Sequence, residues 1–157
     1  MQKITPCLWF DFRAEEAVAH YLRVFRSGRV LATSHYGETM GEHRGKVLTI
    51  RFEIEGQEFL ALNGGPQFPF TEAVSLSVDC PDQAEVDRLW DELAEGGSHG
   101  PCGWLKDRFG LSWQIVPSAV ETMMRSGQPE RIDRMMGALM QMGKLDIAQL
   151  QAAFDGG

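Results

Sequence analysis

One order of elements occurs twice along this chain, and that repetition constrains the fold more than any single motif. Residues 4–11, ITPCLWFD, are short, apolar and aromatic, and read as a strand. Ile4, Pro6, Leu8 and Phe10 fall on one face, and Thr5, Cys7, Trp9 and Asp11 on the other. A helix follows over Ala14–Phe25, where Ala14, Ala17, Val18, Tyr21, Leu22 and Phe25 form one apolar stripe and Ser27-Gly28 stops it. Residues 29–36 make a second strand. After the polar loop GETMGEHRG, residues 46–55 alternate strictly, with Leu48, Ile50, Phe52 and Ile54 opposite Thr49, Arg51, Glu53 and Glu55. Gly56-Gln57 turns the chain into EFLALN and completes a hairpin.

The Gly- and Pro-rich stretch NGGPQFPF interrupts, and the order begins again. Residues 73–79 are a strand, with Val74, Leu76 and Val78 opposite Ala73, Ser75 and Ser77. Asp82 and Glu85 form a capping box ahead of a helix carrying Val86, Leu89, Trp90 and Leu93, and Gly96-Gly97 ends it. GPCGWLKDRFGLSWQIVP gives two short strands around the Arg108–Gly110 turn, with room for a stunted third. The halves match in element order, not in residues. The expected fold is α+β: paired βαβββ modules forming a curved mixed sheet around a cavity, with a C-terminal helical extension. Module one covers residues 1–66, module two 70–117 and the tail 118–157, within one domain.

In the tail, Ser118 and Glu121 are read as a further capping box, and Pro129 as the start of a helix. Six of the eight methionines fall here, so the tail needs an apolar surface to pack on. That surface is either its own sheet or a second subunit.

Composition removes whole classes of function. Basic residues never cluster and the net charge is −7, so neither nucleic acid phosphates nor an anionic membrane surface has an electrostatic hold on the chain. No apolar run is long enough to span a bilayer, and the opening MQKITPCLWFDF lacks the apolar core of a signal peptide. Cys7, Cys80 and Cys102 are odd in number and show no CxxC spacing, which argues against a disulfide framework or structural zinc and for a reducing cytoplasm. A small organic ligand or a protein partner remains.

ITPCLWFD, GQEFLALNGGPQFPFTEAVSLSVDC, CGWLKDRFGLSWQIVP and MGKLDIAQLQAA together resemble the PhnB-like, demethylubiquinone-methyltransferase-like branch of the vicinal-oxygen-chelate (glyoxalase/bleomycin-resistance) superfamily. The resemblance implies a pair of βαβββ modules around a cavity, a homodimer, and a divalent metal held by a His and a Glu from each module. Matched onto this chain, those four positions fall near Thr5, Asn63 and Ala73, and on Gln114. None is an imidazole or a carboxylate, so the expectation is no metal and no cofactor. The branch label also meets an objection, because the first strand runs into DFRAEE without the glycine-rich turn of most S-adenosylmethionine enzymes.

If the family-matched Thr5, Ala73 and Gln114 face inward, as the resemblance implies, strand period names their companions in the expected cavity lining. It comprises Thr5, Cys7 and Trp9 from the first strand, and Thr49, Arg51 and Glu53 from the third. Asn63 comes from the fourth, Ser75 and Ser77 from the repeated first, and Ser112 and Gln114 from the last. A tryptophan face, hydroxyls, two amides and an Arg51–Glu53 pair suit an oriented small organic ligand. Arg51, Glu53 or a cysteine could instead serve a metal-independent enzyme, His99 with Cys102 forming a conceivable nucleophile pair. A third alternative is a scaffold whose methionine-rich tail holds another protein.

Overall fold

The computed structural model describes residues 2–157. The first module runs β1 (Cys7–Phe10), α1 (Ala14–Phe25), β2 (Arg29–His35), β3 (Val47–Ile54) and β4 (Gln57–Asn63). The second runs β5 (Ser75–Cys80), α2 (Gln83–Ala94), β6 (Ser98–His99), β7 (Trp104–Lys106) and β8 (Ser112–Pro117). The tail adds α3 (Ser118–Met124), α4 (Pro129–Leu139) and α5 (Ile147–Asp155). Each module forms its own four-stranded mixed sheet, in the orders β1-β4-β3-β2 and β5-β8-β7-β6. In both, the first strand lies parallel to the last and the remaining pairs are antiparallel. The chain divides into two compact units, residues 1–70 and 71–157.

In the first unit, α1 follows its apolar stripe: Ala14, Ala17, Val18, Tyr21, Val24 and Phe25 are buried. They meet Leu8, Phe10, Ile50, Phe52, Ile54, Phe59 and Ala61 from one face of the sheet, and Phe52 stacks on Phe59 at 5.4 Å between ring centres. The helix ends at Phe25 as expected, and Arg26 closes it by taking the left-handed conformation, its N–H bonding to Leu22 O. Gly28 serves the next step. At φ 125° its Cα passes so close to β3 that a Cβ would stand 2.0 Å from Glu53 O, and only glycine allows that approach.

In the second unit, Val86, Leu89, Trp90 and Leu93 of α2 pack on Leu105, Trp113 and Ile115. Asp82 caps α2 as its spacing implies, accepting from Glu85 N–H at 2.9 Å. The turn between β7 and β8 is built on Asp107, only 2% exposed. Its Oδ1 accepts from the N–H groups of Phe109 (2.9 Å) and Leu111 (3.1 Å), and its Oδ2 from the Trp113 indole N–H (2.9 Å).

The tail packs on its own second module. Val120, Met123, Met135, Leu139, Leu145, Leu150 and Phe154 form one core that Cys102 and Val116 adjoin. The link between α4 and α5 is tied down by backbone bonds of 2.7 Å from Cys102 N–H to Met142 O and from Gly103 N–H to Gly143 O. From α2, the Gln83 side chain donates to Leu145 O (3.0 Å) and accepts from Ile147 N–H (2.8 Å). Ser118 is not a helix cap, contrary to the capping-box reading. Pro117 holds that position, and the Ser118 hydroxyl donates back to Asp79 and to Cys80 O. Asp146, unmarked in the sequence, caps α5 through Gln149 N–H at 2.9 Å.

Candidate ligand-binding site

Each sheet packs a helix on one face and leaves the other open, and strand register decides which side chains share the open face. In the first unit, Cys7 pairs with Leu60 and Trp9 with Leu62, while Thr49, Arg51 and Glu53 stand opposite Leu62, Leu60 and Glu58. Cys7, Trp9, Thr49, Arg51 and Glu53 therefore share the open face. The expected Arg51–Glu53 pair is not formed. Glu53 and Glu58 face each other across the strands, and Arg51 reaches diagonally to Glu58 Oε2 (3.1 Å) and to Thr5 Oγ1 (3.4 Å). Trp9 is occupied by its own chain. Its indole N–H donates to Gly65 O (2.8 Å), its ring takes the edge of Phe68, and a Cβ on Gly64 would lie 2.3 Å from it.

Asn63 is the clear correction. It registers with Phe10, so it lies on the helix-bearing face and is 1% exposed. Its Oδ1 accepts from Ala14 N–H (2.9 Å), and its Nδ2 donates to Glu15 Oε2 (2.8 Å) and Val47 O (3.1 Å). It caps α1 from a distant strand, where the local cap residue Arg13 makes no such bond. We expect Asn63→Ala to cost about 2 kcal/mol in chemical denaturation, since the buried Ala14 N–H loses its acceptor and Glu15 and Val47 O lose their donor. Asn63→Asp should cost more, because a second carboxylate would face Glu15.

In the second unit, Ser75 pairs with Ser112 and Ser77 with Gln114, while Trp104 stands opposite Gln114 and Lys106 opposite Ser112. These six side chains share the open face. Gln114 Nε2 donates to Ser75 Oγ at 2.9 Å. Beside them lies a cavity of about 460 Å³, walled by Trp104, Leu105 and the Gly100–Cys102 loop, with Ser112 on its lining and Glu72 and Lys106 on its border. Lys106 and Glu72 form an ion pair, and hydrogen bonding to the ammonium holds Glu72 below the usual carboxylate range. Ser112 is 1% exposed, yet its hydroxyl has no hydrogen-bond partner. A buried hydroxyl normally finds one.

His99 and Cys102 border the same cavity but are not joined as a nucleophile pair. The His99 ring stacks on Trp90 at 4.5 Å and bonds to Trp90 O at 2.9 Å, while the Cys102 sulfur faces Met140. Burial pushes the Cys80 thiol up to about 12, and desolvation also raises Cys7. Sequence reading missed Trp104 and Lys106, since a strand of three residues is too short to display a period, and Glu72, which lies in the connection before β5.

The four positions matched to the superfamily's metal do not fit a divalent cation. Asn63 is on the other face, Gln114 is bonded to Ser75, and Thr5 and Ala73 bring no charge. The open face of β4 presents Glu58, Leu60 and Leu62 instead. Among the described residues, no three His, Cys, Asp or Glu side chains come together as a metal-binding group. No helix among them is long and apolar enough to cross a membrane.

Twin βαβββ modules, each with an open sheet face, define a member of the vicinal-oxygen-chelate (glyoxalase/bleomycin-resistance) superfamily. Within it, the chain belongs to the family described as 3-demethylubiquinone-9 3-methyltransferase, whose profile matches residues 2–116. A putative 3-demethylubiquinone-9 3-methyltransferase, PhnB protein, from Bacillus cereus is 33% identical, with a TM-score of 0.66 over 74% of this chain and 100% of that one. Protein PA1353 from Pseudomonas aeruginosa is 25% identical, with a TM-score of 0.63 over 74% and 98%. The fosfomycin resistance protein FosX from Listeria monocytogenes, crystallised with Mn(II) and sulfate, shares the fold at 16% identity, with a TM-score of 0.51 over 72% and 90%. No curated protein matches the chain.

Proposed function

We propose that this chain is a small-organic-molecule-binding protein that works without the superfamily's usual metal, as a homodimer in the cytoplasm. The observation that carries this reading is the Ser112 hydroxyl, buried without a partner on the lining of a 460 Å³ cavity. That volume lies within the range of small-ligand pockets. An unpaired hydroxyl beside an apolar wall supplies orientation where the wall supplies contact area. The donor set at the four matched positions favours metal independence, the superfamily supports the homodimer, and three free cysteines agree with a reducing compartment.

Methyl transfer, the activity in the family description, draws no support from these residues. The first N–H of α1, which could otherwise receive a cofactor's anionic group, is taken by Asn63, and Glu15 and Glu16 follow it.

A thermal-shift screen of small organic fragments, run with and without a chelator, tests the reading. Hits should raise the melting temperature equally in both series, and Ser112→Val, which fills the hydroxyl's space, should weaken them. Hits that require Mn(II), Ni(II) or Zn(II), or stoichiometric metal in the purified protein, would overturn it. Sedimentation equilibrium should show a dimer.

Ser112→Ala carries a stability signature of its own. Removing an unsatisfied buried hydroxyl should stabilise the ligand-free protein by about 1 kcal/mol in urea. A destabilisation of that size would mean the hydroxyl is satisfied within the protein.

A further inference from the structure

We infer that the second-module cavity selects a neutral, planar aromatic molecule bearing one hydrogen-bonding oxygen, anchored on Ser112 and laid against Trp104. This deepens the proposed function and rests on it. Three independent features of the cavity narrow the chemistry.

The first is Trp104. Among the described residues it is the one tryptophan with neither a ring partner nor a hydrogen bond for its indole N–H. Trp9 is held by Phe68 and Gly65, Trp90 by His99, and Trp113 by Asp107. Its register opposite Gln114 puts it on the open face with Ser112, and it lines the cavity. An unclaimed indole beside an apolar wall favours a flat aromatic ligand.

The second is Ser112. Its hydroxyl is the cavity-lining polar group that is both buried and unpartnered, and it can donate or accept. One such group calls for one oxygen on the ligand at that depth, because further polar atoms would be buried unpaired.

The third is charge. The cavity's cation, Lys106, is engaged by Glu72, so the two cancel. An anionic ligand would have to displace Glu72 from Lys106 and then sit beside the released carboxylate. A cationic ligand would face the reverse conflict. A neutral ligand leaves the pair closed.

The isosteric series naphthol, naphthalene and naphthoate separates these features, with binding followed by amide and indole NMR of the full-length protein. Naphthol should perturb the Trp104 indole and the Ser112 amide. It should bind about three- to tenfold more tightly than naphthalene, the worth of one net hydrogen bond. Naphthoate should bind about tenfold more weakly than naphthol. In Ser112→Ala, which stays folded because the hydroxyl has no protein partner, the naphthol-to-naphthalene ratio should fall to about one. Trp104→Leu should weaken both alike. Naphthoate binding most tightly, an unchanged ratio in Ser112→Ala, or no response from any member of the series would each overturn the inference. If fragments of other chemistry still occupied this cavity in the thermal-shift screen, the ligand class alone would fall and the binding function would stand. If none did, both would fall.

Discussion

Asp107→Ala is expected to cost about 3 kcal/mol or more, read as a lowered urea midpoint with little change in slope. The carboxylate is buried and satisfies three donors at once, two backbone N–H groups in the turn and the Trp113 indole N–H. Alanine removes the acceptor of all three, and the Leu111 N–H and Trp113 indole bonds are buried. Trp113 is itself 2% exposed and sits opposite Leu105 in the sheet, so the loss falls on the core as well as on the turn. Asp107→Asn keeps one acceptor and should cost about half as much. A loss below about 1 kcal/mol for the alanine variant would mean that the turn is held by its backbone alone.

Leu145→Ala is expected to cost about 3 kcal/mol, within the range for truncating a fully buried leucine. Leu145 is 1% exposed, packs in the tail core, and offers its carbonyl to the Gln83 side chain. Its side chain also lies against Gly103, where a Cβ would meet it at 3.1 Å. The same loop supplies Pro101 and Cys102 to the cavity wall. A second readout follows. The Cys102 and Gly103 amides, which donate to Met142 and Gly143, should exchange with deuterium markedly faster in the variant. Loss of stability with no change at those two amides would separate the tail core from the cavity.

Legibility in the sequence followed the length of each periodic signal. The α1 boundaries matched the apolar stripe, and the β3 faces matched its alternation, because both elements are long enough for period to dominate. The tail showed its helices but not its docking surface, since methionine packing states no partner. Asn63 was misplaced by counting along the family pattern. The alternation within EFLALN already groups it with buried Phe59 and Ala61, against Glu58, Leu60 and Leu62. The Arg51 partner could not be found within one strand, because it depends on the β3–β4 register. Ser112 takes its expected face from its two-residue spacing to the family-matched Gln114. Its missing partner is a tertiary fact that no local pattern records.

The most direct measurement is a crystal structure of the protein bound to its strongest fragment hit, grown in the presence of a chelator. The expected result is a neutral aromatic ligand lying along Trp104, with one oxygen within hydrogen-bond distance of Ser112 Oγ and the Lys106–Glu72 pair intact. A ligand held through a divalent cation, or seated away from Ser112, would contradict it.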